Sequence, residues 1–293
     1  MLPLPVPVAV AVATSVPTPP VSTSGGWEVK LDGWRAVLLR GGDEVVLHTR
    51  AGRVITDQFP ELAAAAGALP EQTVLDGEIV VPDASGAADF GAVQSRGLAS
   101  ARKAPRLAGT HPAVFAAFDV LVLDGADVRP RRYTERRALL AELTAPGQPL
   151  QPVPATGDRT RALEWARAGR ALGIEGLVAK PDAPYRAGTA SGWRKWRWAD
   201  TLDATIVGFL GPPERPEALV VVPAGQREPV VSSPLPAAAR ARFGRTLAAL
   251  PSPPTASART PDGAGYRPVA PELTVEVLAG HGRHATVRVV RLR

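Results

Sequence analysis

Four lysines, Lys30, Lys103, Lys180 and Lys195, stand against 30 arginines in this chain of 293 residues. The two cations do different chemistry. An arginine guanidinium does not lose its proton in proteins, whereas a lysine amine can be deprotonated and attack an electrophile. In a chain that uses arginine for ordinary positive charge, each surviving lysine marks a place where an ammonium or a nucleophilic amine is wanted. Composition excludes other chemistries. The chain has no cysteine, which removes disulfides, thiolate-bound zinc, iron–sulfur clusters and thiol nucleophiles. Its four histidines contain no i,i+4 pair, so a histidine-based metal centre is not expected.

Three of the lysines belong to short β-rich runs. Residues 27–31, 34–40 and 44–49 form the first group, with Lys30 in the first run. Asp32-Gly33 and Gly41-Gly42-Asp43 separate them, which is the turn chemistry of antiparallel strands. A short helix is expected over 61–67, and strands over 74–82 and 114–123. Leu139, Leu140 and Leu143 have helical spacing over 134–143, with Thr134 as N-cap. A second helix is expected over 159–172, then strands at 174–180, ending on Lys180, and at 193–198, holding Lys195. The character changes near residue 200. Strand-like runs at 203–210, 218–223, 228–232, 273–279 and 285–292, interrupted by a helix over 236–250, fit a small Greek-key barrel such as the OB-fold. The organisation read here is an arm over 1–24, an α+β domain over 25–200 and a barrel over 201–293.

The formal net charge of +6 and pI near 10.2 permit a polyanionic partner without demanding one. The excess is divided evenly between residues 1–199 and residues 200–293, +3 each, and there is no basic tail. The apolar first 24 residues lack a positive n-region and carry six prolines, so they read as an extended arm rather than a targeting or membrane segment. A soluble cytoplasmic protein with no membrane association is expected.

The lysine-bearing runs carry a further pattern. Lys30-Leu31-Asp32-Gly33-Trp34-Arg35 resembles the K-x-D-G-x-R motif of covalent nucleotidyltransferases, the ATP-dependent ligases and mRNA-capping enzymes. Other motifs follow in that family's order. Thr49-Arg50-Ala51-Gly52 precedes Phe59-Pro60-Glu61-Leu62. Asp76-Gly77-Glu78-Ile79 resembles motif III, and Phe118-Asp119 resembles motif IIIa, with Arg136-Arg137 after it. Glu175-Gly176-Leu177-Val178-Ala179-Lys180 resembles motif IV, with Pro184-Tyr185-Arg186 following. Trp193-Arg194-Lys195-Trp196-Arg197 stands at motif V. The likeness covers about residues 25–293 and is greatest to small bacterial ATP-dependent DNA ligases and the ligase modules of end-joining enzymes. It implies an α+β nucleotidyltransferase (ATP-grasp-like) adenylation domain of antiparallel sheets and helices, followed by a C-terminal OB-fold β-barrel.

The resemblance also implies roles. Lys30 would attack the α-phosphate of ATP and form a lysyl–AMP. Arg35 and Glu78 would contact the ribose or a nearby phosphate, and Arg50 would belong to the same nucleotide site. Phe118 would stack on adenine, and Glu28 would frame it, largely through its backbone. Glu175 would bind Mg²⁺ or Mn²⁺. Lys180, Lys195 and Arg197 would neutralise phosphate charge. The implied partners are ATP and nicked duplex DNA, with end-joining or repair proteins possible, and the chain is expected to act as a monomer.

Three departures stand out. Motif V relatives carry K-x-K where this chain has Lys195-Trp196-Arg197, and Thr189 replaces an arginine that relatives place after the glycine. No R-x-D-K motif closes the chain, which leaves Arg288, Arg291 and Arg293 as the candidates for terminal phosphate contact. The expected function is a nick-sealing ATP-dependent DNA ligase. The alternatives are an RNA ligase, a capping-type transferase, or a non-catalytic nucleic-acid-binding relative.

Overall fold

At Asp32-Gly33 the chain leaves one sheet and enters another. The expectation of a hairpin there is corrected: β2 (Gly26–Leu31) and β3 (Trp34–Gly41) do not pair but belong to separate sheets. A Cβ on Gly33 would stand 2.4 Å from the Ile79 carbonyl oxygen, so only glycine fits this crossing. The next turn does form a hairpin. Gly42, at φ +49°, and Asp43 join β3 to β4 (Glu44–Thr49), with Gly41 opposite Glu44.

The computed structural model describes residues 1–198, 200–248, 257–270, 273–279 and 287–292. They fall into two units, Met1–Trp198 and Ala199–Arg293. In the first unit one sheet runs β4-β3-β5-β6-β7, with β5 at Thr73–Val80, β6 at Val114–Leu123 and β7 at Ala126–Asp127. A short strand, β8 (Leu150–Pro152), lies parallel to β6. The other sheet runs β1-β11-β10-β2-β9. Its remaining members are β1 (Thr14–Ser15), β9 (Ala155–Thr156), β10 (Ile174–Lys180) and β11 (Arg194–Arg197).

The continuous apolar run Ala36-Val37-Leu38-Leu39 is explained by burial on both faces. Ala36 and Leu38 pack with Leu62 of α1 (Pro60–Ala66), Val93 of α2 (Phe90–Gly97) and Leu140 of α4 (Tyr133–Leu143). Val37 and Leu39 face the opposite way, against Val8, Val10 and Ala11 of the N-terminal arm. The second sheet buries Trp27, Leu177 and Trp196 under Ala162 and Ala166 of α5 (Arg159–Ala168).

Local chemistry starts the helices. Asp158 caps α5 by accepting from the amides of Thr160 and Arg161, and Asp89 caps α2 by accepting from Ala92. The N-cap of α4 is corrected from Thr134 to Arg132, two residues earlier. Glu135 accepts from the Arg132 amide at 2.8 Å, while the Thr134 hydroxyl donates to Asp182 instead. Helices α2 and α3 (Ala104–Thr110) add to the expected elements; Gly91, Gly97, Pro105 and Gly109 dilute their periodicity.

In the second unit, β12 (Asp200–Leu210) pairs with β13 (Ala218–Pro223) and with β17 (Thr274–Ala279). Beyond these, β13 pairs with β14 (Val230–Val231) and β17 with β18 (Arg288–Leu292). A parallel bridge from Ser232 to Val287 closes the ring. With α6 (Ala237–Ala248) between the third and fourth barrel strands, this connectivity is consistent with the OB-fold. A small extra hairpin, β15 (Ala258–Arg259) and β16 (Gly265–Pro268), lies in the Pro/Ser/Thr-rich stretch 251–272, where the sequence reads as loop. Arg288 is on β18, and Arg291 stands opposite Glu276; Arg293 lies outside the described residues. Among the described residues no helix is long and apolar enough to cross a membrane.

One irregularity interrupts the second sheet. Where β10 pairs with β2, the register skips between Ile174, opposite Leu31, and Gly176, opposite Lys30. Glu175 is therefore the extra residue of a β-bulge, a device that re-aims a side chain. Gly176 has φ +155°, and a Cβ there would lie 2.0 Å from the Trp196 carbonyl oxygen. Gly176→Ala should destabilise the protein by about 2–4 kcal/mol in urea unfolding, while Gly157→Ala, which meets open space, should stay within about 0.5 kcal/mol. Equal effects would refute the tight-bulge account.

Candidate active site

Between the two sheets lies a cleft of about 230 Å³. The second sheet contributes Glu28 and Lys30 from β2, Val178 and Lys180 from β10, and Lys195 and Arg197 from β11. The first sheet contributes Arg35, Glu78 and Phe118, and Arg50 follows β4. Every residue expected at the nucleotide site except Glu175 is thus in the lining, and Glu175 reaches Lys30. Its Oε2 is 2.5 Å from Lys30 Nζ and 3.1 Å from Arg197 Nε.

One end of the cleft is cationic. Burial pushes the Lys195 ammonium pKa below its ordinary value, and the charges of Arg197, Lys30 and Arg50 push it further. Such mutual repulsion is relieved by an anion. Arg35 is held apart from this cluster by Asp76, which accepts from its Nε at 3.0 Å and its Nη2 at 2.6 Å. This bidentate fork spans β3 and β5, where Arg35 and Glu78 are direct cross-strand partners.

The other end is aromatic. Phe118 and Trp193 meet edge to face with centroids 5.9 Å apart. Lys180 lies beneath them, 1% exposed, with Nζ 3.9 Å from the Trp193 ring centroid. The sequence pointed to Lys180 as a phosphate-neutralising group. Lys180 lines the cleft, and its ammonium donates to the Phe118 carbonyl oxygen at 2.8 Å, pairs with Glu28 at 2.8 Å and stands 3.8 Å from Asp119. Burial lowers the Lys180 pKa, and the Glu28 and Asp119 carboxylates oppose that shift. Glu28 also accepts from the Tyr133 hydroxyl at 2.9 Å, so its side chain, not only its backbone, is engaged. Below this layer Arg136 forks onto Asp119 at 2.7 and 3.1 Å, both side chains 1% exposed. Removing one partner of such a buried pair costs about 3–5 kcal/mol.

The sequence points to no role at the nucleotide site for Asp32 or Trp193. Trp193 packs and also lines the cleft. Asp32 stands within the K-x-D-G motif, and its signal is its spacing two residues from Lys30. Burial raises the Asp32 pKa, and the facing Glu175 raises it further by charge and by a side-chain hydrogen bond. Glu175 Oε2 is buried and, although ion-paired, accepts no well-aligned hydrogen bond. Two carboxyl groups crowded together with such an oxygen suit a hard divalent cation that takes its other ligands from phosphate and water. Among the described residues there is no group of three or more metal-ligating side chains.

Burial raises Glu78 from its ordinary 4.5 to about 7, with Lys30 and Arg35 opposing and Asp76 and Glu175 adding. Between those values the folded protein keeps a proton that the unfolded chain has released, so stability falls as pH rises through the window. Glu78→Gln removes this titration. Its melting temperature relative to wild type should therefore climb between about pH 5 and about pH 8; a pH-independent offset would contradict the assignment.

A family model for the ATP dependent DNA ligase domain matches residues 20–197. DNA ligase C2 of Mycolicibacterium smegmatis is 39% identical over 186 residues, covering 62% of this chain and 52% of that protein. The multifunctional non-homologous end joining protein LigD of the same organism is 34% identical over 186 residues, 62% of this chain and 23% of that one. The chain thus matches about half the length of the first relative and less of the second. Among solved structures, mycobacterial DNA ligase D complexed with ATP and MES superposes with a TM-score of 0.54 and 27% identity, covering 97% of this chain and 94% of that one. With the motif residues gathered in one cleft and the family model spanning most of the first unit, the chain belongs to the ATP-dependent DNA ligase domain family.

Proposed function

We propose that the protein is an ATP-dependent DNA ligase that seals nicks in duplex DNA through a lysyl–AMP intermediate. The observation that carries this reading is the placement of Lys30 in the cleft between a cationic cluster and an aromatic floor. Adenine would lie against Phe118 near Trp193, with Glu28 and Lys180 holding the floor beneath it. Arg35, fixed by Asp76, and Glu78 would meet the ribose or its phosphate. Arg50, Lys195 and Arg197 would receive the phosphate chain.

The chemistry follows from that arrangement. The deprotonated Lys30 amine attacks the α-phosphorus, an N–P bond forms, and the α–β P–O bond breaks with its electron pair leaving on pyrophosphate. Lys195, Arg197 and Arg50 oppose the charge that develops on the departing oxygens. Glu175 holds the Lys30 amine at the seam between the sheets until the nucleotide enters. Asp32 and Glu175 would hold Mg²⁺ or Mn²⁺, which supplies charge neutralisation at the phosphate oxygens. A 5′-phosphate oxygen at the nick next takes the adenylyl group from Lys30. The adjacent 3′-hydroxyl then attacks that 5′-phosphorus, forms the phosphodiester and expels AMP.

Arg197 is the distinctive member. It is a planar fork where relatives carry an ammonium, and it shares Glu175 Oε2 with the nucleophile. We place the protein in the bacterial cytoplasm as a monomer. Its relative in end joining supports end-joining or repair proteins as the factors that deliver its DNA.

Incubation with α-labelled ATP and Mg²⁺ or Mn²⁺ should give an acid-labile covalent adduct on wild type and none on Lys30→Ala or Lys30→Arg. Arg197→Ala should form the adduct at least about tenfold more slowly. Labelling by GTP, or sealing of nicked RNA in preference to nicked DNA, would favour the capping or RNA-ligase reading. No adduct on wild type would sink the ligase reading and leave a nucleic-acid-binding relative.

A further inference from the structure

Adenylyl transfer by the cleft residues does not by itself explain why the N-terminal arm is woven into the cleft. Val8, Val10 and Ala11 are buried against Val37 and Leu39 of the first sheet. The same segment is also a strand of the second sheet. Thr14 stands opposite Arg194 and Ser15 opposite Lys195 in a parallel pairing. The amides of Val12, Thr14 and Val16 donate to the carbonyls of Gly188, Trp193 and Lys195 at 2.8, 2.8 and 3.0 Å. One short stretch therefore grips both walls, and Val12 and Ala13 line the cleft between them.

The grip closes into a ring of polar contacts around Arg35. Its Nη1 donates to the Ala11 carbonyl oxygen at 2.6 Å, while the rest of the guanidinium forks onto Asp76. The Tyr185 hydroxyl donates to Asp76 Oδ2 at 2.6 Å and accepts from the Ala11 amide at 2.8 Å. Both sides of the Ala11 residue are thus tied to the pair that fixes Arg35. Asp76 is fully buried, so a partner it loses is not replaced by water, and buried polar networks are sensitive to a single missing bond.

We propose that residues 8–16 are a clamp that sets the geometry of the nucleotide cleft, with Tyr185 as its positioning residue. The hydroxyl of Tyr185 ties the arm to Asp76. Through that tie it orients Arg35 on one wall and the strand bearing Lys195 on the other for a bound adenine nucleotide. The proposal rests on reading the cleft as an ATP site. A merely structural tyrosine would change stability alone; a positioning tyrosine changes nucleotide affinity as well.

The test uses Tyr185→Phe in the full chain, which removes only the hydroxyl. Its KM for ATP in self-adenylylation should rise about tenfold, with kcat within about twofold of wild type, beside the fall in melting temperature that two lost buried hydrogen bonds bring. Hydrogen exchange at residues 10–16 should slow when ATP binds wild type, and slow less in the variant. An unchanged KM, or exchange at 10–16 indifferent to ATP, would overturn the clamp. If wild type forms no adduct, calorimetric binding of ATP separates the two ideas. Weaker binding by the variant then supports the clamp without the ligase reaction, equal binding overturns it, and no binding by wild type ends both. Should Tyr185→Phe not fold, Val10→Ala loosens the arm without touching Asp76 and carries the same expectation for KM and exchange.

Discussion

Like charges gathered in one cleft repel, and the first unit of this protein is organised around holding them there. Lys30, Arg35, Arg50, Lys195 and Arg197 line a single cleft, and burial strengthens every interaction among them. Partial compensation comes from within. Glu175 lies against both Lys30 and Arg197, and Asp76 takes Arg35. Lys195 is the member left strained, its pKa lowered by burial and by its cationic neighbours. On the proposed reading, a bound triphosphate would supply the missing negative charge. Binding and chemistry then draw on the same electrostatics.

Holding that cluster requires specific backbone geometry. The crossing at Asp32-Gly33 puts Lys30 on one sheet and Arg35 on the facing one, only five residues apart. The bulge at Glu175 turns a carboxylate toward Lys30, and Gly176 makes the bulge possible. Beneath the aromatic floor, Arg136, Asp119, Lys180, Glu28 and Tyr133 form a connected buried network. Each charge there has a partner, which is the condition for burying them at all. Lys180 thereby becomes a floor element, with its ammonium committed to Glu28 and Phe118 rather than to the cationic end.

Much of this is legible in the sequence because the chemistry constrains residue type. A chain that otherwise avoids lysine keeps it at 30, 180 and 195, and all three line the cleft. Strands over 114–123 and 174–180 are readable from their apolar residues in spite of the embedded Asp119 and Glu175. What escapes is long-range. Asp32-Gly33 has hairpin chemistry, but pairing with β10 captures β2 for the other sheet, which no local signal reports. The arm reads as low-complexity apolar chain; its value lies in contacts with Tyr185 and Arg35, which are 174 and 24 residues from Ala11. Helices α2 and α3 are hidden by glycine and proline, with only the Asp89 cap to announce the first. The hairpin β15–β16 is built from Pro/Ser/Thr-rich chain whose pairing no periodicity betrays.

The central claim is that the amine of Lys30, and no other lysine, is the group that ATP modifies. Peptide mapping by mass spectrometry after incubation with ATP and a divalent cation tests it directly. The account predicts one adenylyl group, on the peptide containing Lys30, lost on treatment with acid and regained with fresh ATP. An adenylyl group on Lys180 or Lys195, or a wild-type protein that takes up none, would contradict it.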